Sequence, residues 1–285
     1  MRRTTIYFIL VILFALINFY FRPVSGNPLV TKDYQNSPSY VNDLYYSEEY
    51  FKKKLISEKY YYLYEQVLED VKDGKNVNTI TCKEEGCSNA FAAVLEAISL
   101  DHPEFFSYQT AWWRDYKSSV EVHYSCMSSW KYYLGTKRIE RELDIVKRET
   151  KNMSDKEKIL YVYDYVASHN YDRLFTYSSS NQSAYSFFTK GSSVCAGFAK
   201  ASQLIFQNIG IKSYLVHGYE HMWNYVEYEG KYYVFDATVG SSYYNKKHQN
   251  YYEGLARTTV GERIGEHKEV YPTIEEKTLK ELFGM

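Results

Sequence analysis

Charge of one sign, internal repetition and calcium-loop spacing are all missing from this sequence. Lys and Arg number 34 against 35 Asp and Glu, a formal net charge of -1, so the basic excess of a broad nucleic-acid-binding face is absent. No segment recurs at a fixed period, which sets aside repeat architectures. No Asp-x-Asp-x-Asp-Gly pattern occurs, and neither a metal nor any other cofactor is expected. The longest apolar run, 6–21, has 16 residues, short of the roughly 20 that a membrane span needs.

What is present is the composition of a folded chain: 45% hydrophobic and 24% charged among 285 residues, long enough to bury a sizeable core. The 33 tyrosines are spread without a period. They read as a compositional bias towards Tyr, Lys, Asn and Ile, in preference to a sugar-binding or adhesive surface.

Residues 1–26 have the form of an export signal, with Arg2 and Arg3, the apolar run, and small residues ending at Ser25 and Gly26. Cleaved or kept as an anchor, this segment is expected to place the rest outside the cell and to be its only contact with a membrane. Residues 27–50, with Pro28 and Pro38, read as a linker. In an oxidising setting Cys82 and Cys87 enclose a loop short enough for a local disulfide. A two-cysteine metal site would lack further ligands nearby. Cys126, in an aromatic stretch, is expected to be buried.

Apolar residues at helical spacing predict a helix from about 55, with Leu63, Tyr64, Val67, Leu68 and Val71 on one face and Gly74 as its stop. A second helix is predicted from Ser88 to a point before Asp101-His102-Pro103, because the residue before proline disfavours helix. Two strands are predicted within 105–130 and a helix over 137–150. Ser154-Asp155-Lys156-Glu157 spells a capping box ahead of Ile159, Val162, Tyr163 and Val166. The expected organisation is an extension of helices and strands over 51–150, then a catalytic domain over 151–285.

Cys195 stands among Ser192, Ser193, Ala196, Gly197 and Ala199 at the head of a helical pattern that Gly210 ends. A helix start favours the thiolate, and small neighbours let a substrate carbonyl approach. A buried structural cysteine would fit the same segment, so the segment alone does not decide. Downstream, two strand-like runs flank Glu229-Gly230 and predict a hairpin. With those two residues as the loop, Tyr228 faces Lys231 and Trp223 faces Asp236. His221, two residues from Trp223, then shares a face with Asp236, and a one-residue slip would separate them. A carboxylate that orients a histidine whose other nitrogen serves a thiol is the arrangement of cysteine nucleophile catalysis.

These motifs resemble the transglutaminase-like superfamily, which has a papain-related fold and many secreted bacterial members. They are Gly191-x-x-Val194-Cys195-x-Gly197-x-Ala199, His221-x-Trp223-Asn224 and Tyr233-x-x-Asp236-x-Thr238, in that order, with Met222 where alanine is commoner in the family. The resemblance implies an α+β, papain-like core with a mainly helical N-terminal extension. It also implies Cys195 as nucleophile, His221 as general base and acid, and Asp236 as the orienting carboxylate. The expected reaction is acyl transfer from a peptide or protein amide through a Cys195 thioester, resolved by water or by an amine. Cell-wall peptides or surface proteins are the natural substrates of such an exported enzyme. The Cys195 backbone N–H is the expected oxyanion donor, with Tyr185 or Gln182 as a second and Trp223 as a wall of the site. Two rival readings differ in kind. Metal hydrolysis through His217 and His221 suffers from strand-like spacing and from the lack of a following Glu. A non-catalytic protein- or glycan-binding module on the same fold would also be extracellular.

Overall fold

Helices in the N-terminal half follow the apolar spacing. In this computed structural model, residues 48–105, 108–116, 118–126, 129–174, 181–243, 246–257 and 264–285 are described. The expected signal or anchor, almost all of the expected linker and the Cys126 side chain lie outside the described residues. Helix α1 spans Tyr50–Leu55 and α2 spans Tyr61–Lys72, burying Leu63, Tyr64, Val67, Leu68 and Val71. Helix α3 spans Cys87–Asp101, and the buried Asp101 at its end accepts the backbone N–H of Phe51 (3.0 Å) and of Lys52 (2.9 Å). That carboxylate satisfies two free donors at the start of α1, where a negative charge also meets the favourable end of the helix dipole.

Three antiparallel strands, β1 (Val77–Thr81), β2 (Tyr108–Tyr116) and β3 (Ser119–Cys126), form a sheet in the order β1-β3-β2. The first of these was not predicted. Only Ile80 of its five residues is buried, so it carries almost no apolar alternation. Helix α4 spans Ser129–Thr150, starting eight residues before the predicted position. Its aromatic first turns look strand-like in sequence, yet buried Tyr132, Thr136, Ile139, Leu143 and Val146 fall on one helical stripe.

Helix α5 (Asp155–Ala167) begins with the predicted capping box: Ser154 Oγ accepts the Glu157 N–H at 3.4 Å and Glu157 Oε2 accepts the Ser154 N–H at 2.7 Å. Strand β4 (Asn170–Tyr171), helix α6 (Ala184–Lys190), strand β5 (Ser192–Ser193) and helix α7 (Cys195–Asn208) follow. Strands β6 (Ser213–Gly218), β7 (His221–Tyr228) and β8 (Lys231–Phe235) form an antiparallel meander, and the short helices α8 (Ala237–Ser241) and α9 (Leu279–Phe283) close the described chain.

Two apolar cores lie on either side of α7 and the meander. The first joins Phe51, Leu63, Val67, Phe91 and Val94 to Ala196, Ala199, Leu215, Val216, Trp223 and Tyr225. The second joins Ile139, Leu143, Ile159 and Val162 to Phe187, Phe198, Leu204, Phe206 and Phe235. The expected boundary between 150 and 151 falls between α4 and α5, which both pack into the second core. Among the described residues no helix is long and apolar enough to cross a membrane. The architecture is mixed α and β, with a mainly helical extension ahead of α7 and the meander.

Candidate active site

Cys195 is the first residue of α7, and the chain leading into it is pinned from behind. Ser193 is fully buried. Its Oγ donates to the Asn181 carbonyl at 2.7 Å and lies 2.8 Å from Ser186 Oγ. Gly197, one turn away from this bend, has no room for a side chain: a Cβ there would stand 1.9 Å from Ser193 Oγ and 2.9 Å from the Ser183 carbonyl. In the Gly-x-x-Val-Cys-x-Gly motif Gly197 is thus a packing requirement, while Gly191, in open space, supplies the positive φ of 68° that ends α6.

His221 opens β7, and β7 is tied to α7 by Asn224, whose Nδ2 donates to the Ala199 carbonyl at 3.0 Å. The hairpin of β7 and β8 has the predicted register, with Tyr228 opposite Lys231 and Asn224 opposite Phe235. Glu229 and Gly230 both adopt positive φ, 52° and 75°, the pattern of a type I′ two-residue loop, which matches the twist of the strands. Asp236 follows the last paired residue of β8 and caps α8. Its carboxylate reaches back so that Oδ2 accepts from His221 Nε2 at 2.9 Å. That leaves Nδ1 as the nitrogen available to the thiol, and the Cys195 and His221 side chains are within hydrogen-bond reach of each other. Trp223 is buried and its ring stacks on that of His221, 5.6 Å between centroids with planes 21° apart. It acts as a backing for the imidazole.

Asp236 is more heavily held than its sequence suggests. Arg257 Nη1 donates to Oδ2 at 2.8 Å, while the Thr238 N–H (3.2 Å) and the Thr238 hydroxyl donate to Oδ1. Its own N–H donates to the Gly254 carbonyl at 3.2 Å. A Cβ on Gly254 would lie 1.9 Å from the Asp236 carbonyl oxygen.

The electrostatics follow from these contacts. Burial would push the Asp236 carboxyl up, but hydrogen bonding and the positive charge of His221, with help from Arg257 and Thr238, hold it below the usual carboxylate range. Burial would likewise push His221 down. The hydrogen bonds to Asp236 and Cys195 and the charges behind them outweigh burial and raise it to about 9. The Cys195 thiol would be raised by burial, and is instead lowered by the hydrogen bond and charge of His221, the Met222 backbone N–H and the Tyr171 hydroxyl. Both shifts move the pair towards a thiolate facing an imidazolium.

A cavity of about 430 Å³ opens on the thiol, with Tyr171, Gln182, Cys195, Lys200, His217 and His221 in its lining. Gln182 thus shares the cavity with Cys195. Tyr185 is not in the lining and packs against the second core. Tyr171, which sequence reasoning passed over, brings its hydroxyl to both the Cys195 thiol and the Cys195 backbone N–H. The parallel pairing of β4 with β5 sets Tyr171 opposite Ser193, two residues before Cys195. A strand of two residues leaves no periodic trace in a sequence. Arg257 was missed as well, since an isolated arginine in a loop gives no pattern. His217 is exposed and lies opposite Met222 in the ladder of β6 and β7. Among the described residues no group of three or more His, Cys, Asp and Glu could hold a metal ion. Cys82 and Cys87 are joined by a disulfide.

No curated protein matches the chain. A solved structure described as the crystal structure of a TGase is similar at 17% identity, covering 57% of this chain and 51% of its own, with a TM-score of 0.33. The chain therefore spans about half the length of that protein. Residues 144–244 match the family model of the Transglutaminase-like superfamily, and this segment runs from the end of α4 through Cys195, His221 and Asp236.

Proposed function

We infer that the protein is a thiol acyl-transfer enzyme that acts on peptide or protein amides through a thioester on Cys195. The observation carrying this reading is the imidazole of His221 held between the Cys195 thiol and a buried, cation-paired Asp236 carboxylate. The thiolate attacks the amide carbonyl and its electron pair moves to oxygen. As the substrate carbonyl displaces the Tyr171 hydroxyl from it, the Cys195 backbone N–H donates to the developing oxyanion, with Gln182 beside it. His221 gives its proton to the leaving nitrogen as the C–N bond breaks, and the acyl group stays on sulfur. Neutral His221 then takes a proton from water or a primary amine as that nucleophile attacks the thioester, and the second collapse returns the thiolate and the imidazolium. Water gives an acid by deamidation or peptide hydrolysis, and an amine gives a new amide.

Export through the N-terminal segment would bring cell-wall peptides and surface proteins within reach as substrates. The test is mass spectrometry of the whole protein after incubation with a glutamine-containing peptide library, with and without a primary amine. An acyl adduct on Cys195, absent from Cys195→Ala, is the expected result. A protein that binds peptides equally well with either residue and never forms an adduct would instead be a binding module on this fold.

A further inference from the structure

Lys200 is the one cation-bearing lysine in the lining of the cavity that opens on Cys195. It lies five residues along α7, so its backbone is displaced about 7.5 Å from that of the nucleophile down the helix axis. The side chain is half-buried, and burial alone acts on its ammonium, pushing it down to about 8 with no counter-charge working the other way. Among the described residues it forms no ion pair. Glu220 lines the same cavity, but it sits exposed on the turn between β6 and β7, where water solvates its carboxylate. An ammonium partly shielded from water and without a protein partner is costly, and where it borders an open cavity an anion brought in from outside can relieve it.

We propose that Lys200 is the receptor for a carboxylate carried by the acyl substrate, so that the enzyme selects amides lying next to an acidic side chain or a free C-terminal carboxylate. The inference rests on Cys195 being the nucleophile and adds to it the charge of the preferred substrate. At neutral pH the Lys200 amine is still largely protonated, and a bound carboxylate would stabilise that proton further. His221 also carries positive charge in this cleft, and for that reason the test compares variants at position 200 against an unchanged His221.

The experiment is covalent labelling of the intact protein, read by peptide mapping so that only Cys195 is scored. One reagent pair is N-bromoacetylglycine and its amide, which differ by a terminal carboxylate. The other is N-bromoacetylglutamic acid α-amide and its glutamine counterpart, which differ by a side-chain carboxylate. In the native protein at least one pair should show the carboxylate member reacting about tenfold faster, the scale of a charge-assisted hydrogen bond. That ratio should fall towards one in Lys200→Met and return in Lys200→Arg, and the responding pair tells which kind of carboxylate is read. Lys200→Gln provides the same neutral substitution should the Met variant fail to fold. A ratio that survives both neutral variants, or the lack of any ratio in the native protein, overturns the proposal while leaving the nucleophile intact. Failure of every reagent to label Cys195 removes the acyl-transfer reading and this inference with it.

Discussion

Asp236→Asn separates the charge of the carboxylate from its shape. The asparagine carbonyl can still accept the His221 Nε2–H, so the imidazole keeps its place against Trp223, while the negative charge that stabilises the imidazolium is gone. In the native protein His221 titrates at about 9 because Asp236 and Cys195 overcome burial. With Asp236 neutral, burial and the now unopposed Arg257 both act against the charged ring, and His221 should fall to its ordinary 6.5 or below. A drop of more than two pH units corresponds to roughly 3 kcal/mol of lost imidazolium stabilisation. The thiol loses its counter-ion in the same step and reverts to an ordinary value near 8.5 or above, which leaves well under 1% thiolate at pH 6. Iodoacetamide should therefore alkylate Cys195 at pH 6 much more slowly in the variant than in the native protein, with the two rates converging at alkaline pH. Mapping by mass spectrometry gives the rates, and NMR of the His221 ring protons gives the titration directly. A variant whose His221 still titrates near 9, or whose alkylation keeps the native pH profile, would refute the charge-based account of this site.

Cys195→Ala should abolish adduct formation and turnover while keeping a cooperative melt, since it removes the nucleophile and little volume; turnover by that variant would sink the thioester route. Gly254→Ala should be much more damaging than a surface substitution, by about 2 kcal/mol or more, and should slow Cys195 alkylation by displacing Asp236; a native melting curve would show that the loop yields freely. Reducing the Cys82–Cys87 disulfide should lower stability by about 2 kcal/mol, the scale set by so short a loop, measured by urea titration with and without reductant. A much larger loss would mean that the bridge also holds the native packing. Asp236, lowered in the fold, contributes stability that is present above its unfolded value near 4 and is lost as pH falls through the folded one. Asp236→Asn should therefore flatten the acid limb of the stability curve, and an unchanged limb would assign acid unfolding to other carboxylates.

The parts of the site legible in the sequence are those held by periodic structure. The pairing of His221 with Asp236 follows from counting outward from a two-residue loop, and that count holds because side chains on a hairpin alternate strictly between faces. The head of α7 is legible because a glycine and small residues must surround a helix start packed this closely. Tyr171 and Arg257 were beyond reach for the opposite reason. Each comes from a stretch too short or irregular to carry a period, and each arrives at the site through tertiary contacts formed by other segments. Strand β1 was missed because an edge strand with one buried side chain has little apolar pattern to read, and α4 was shortened because aromatic residues favour strands until a packed helix overrides the preference.

Helix α7 is a party wall. Ala196 and Ala199 face the first core, and Phe198, Leu204 and Phe206 face the second. The family-matched segment 144–244 contains Cys195, His221 and Asp236 but only one side of what covers them. Cut away 48–126, and Leu215, Val216, Trp223 and Tyr225 would lose the helices packed over them. Trp223 is the backing plate of His221, so damage on the far side of the wall would be felt as a loosened imidazole. A shortened protein beginning near 144 should therefore be sticky and chemically dull together. The same connection lets substitutions among Leu63, Val67, Phe91 and Val94 tune the thiol without touching it.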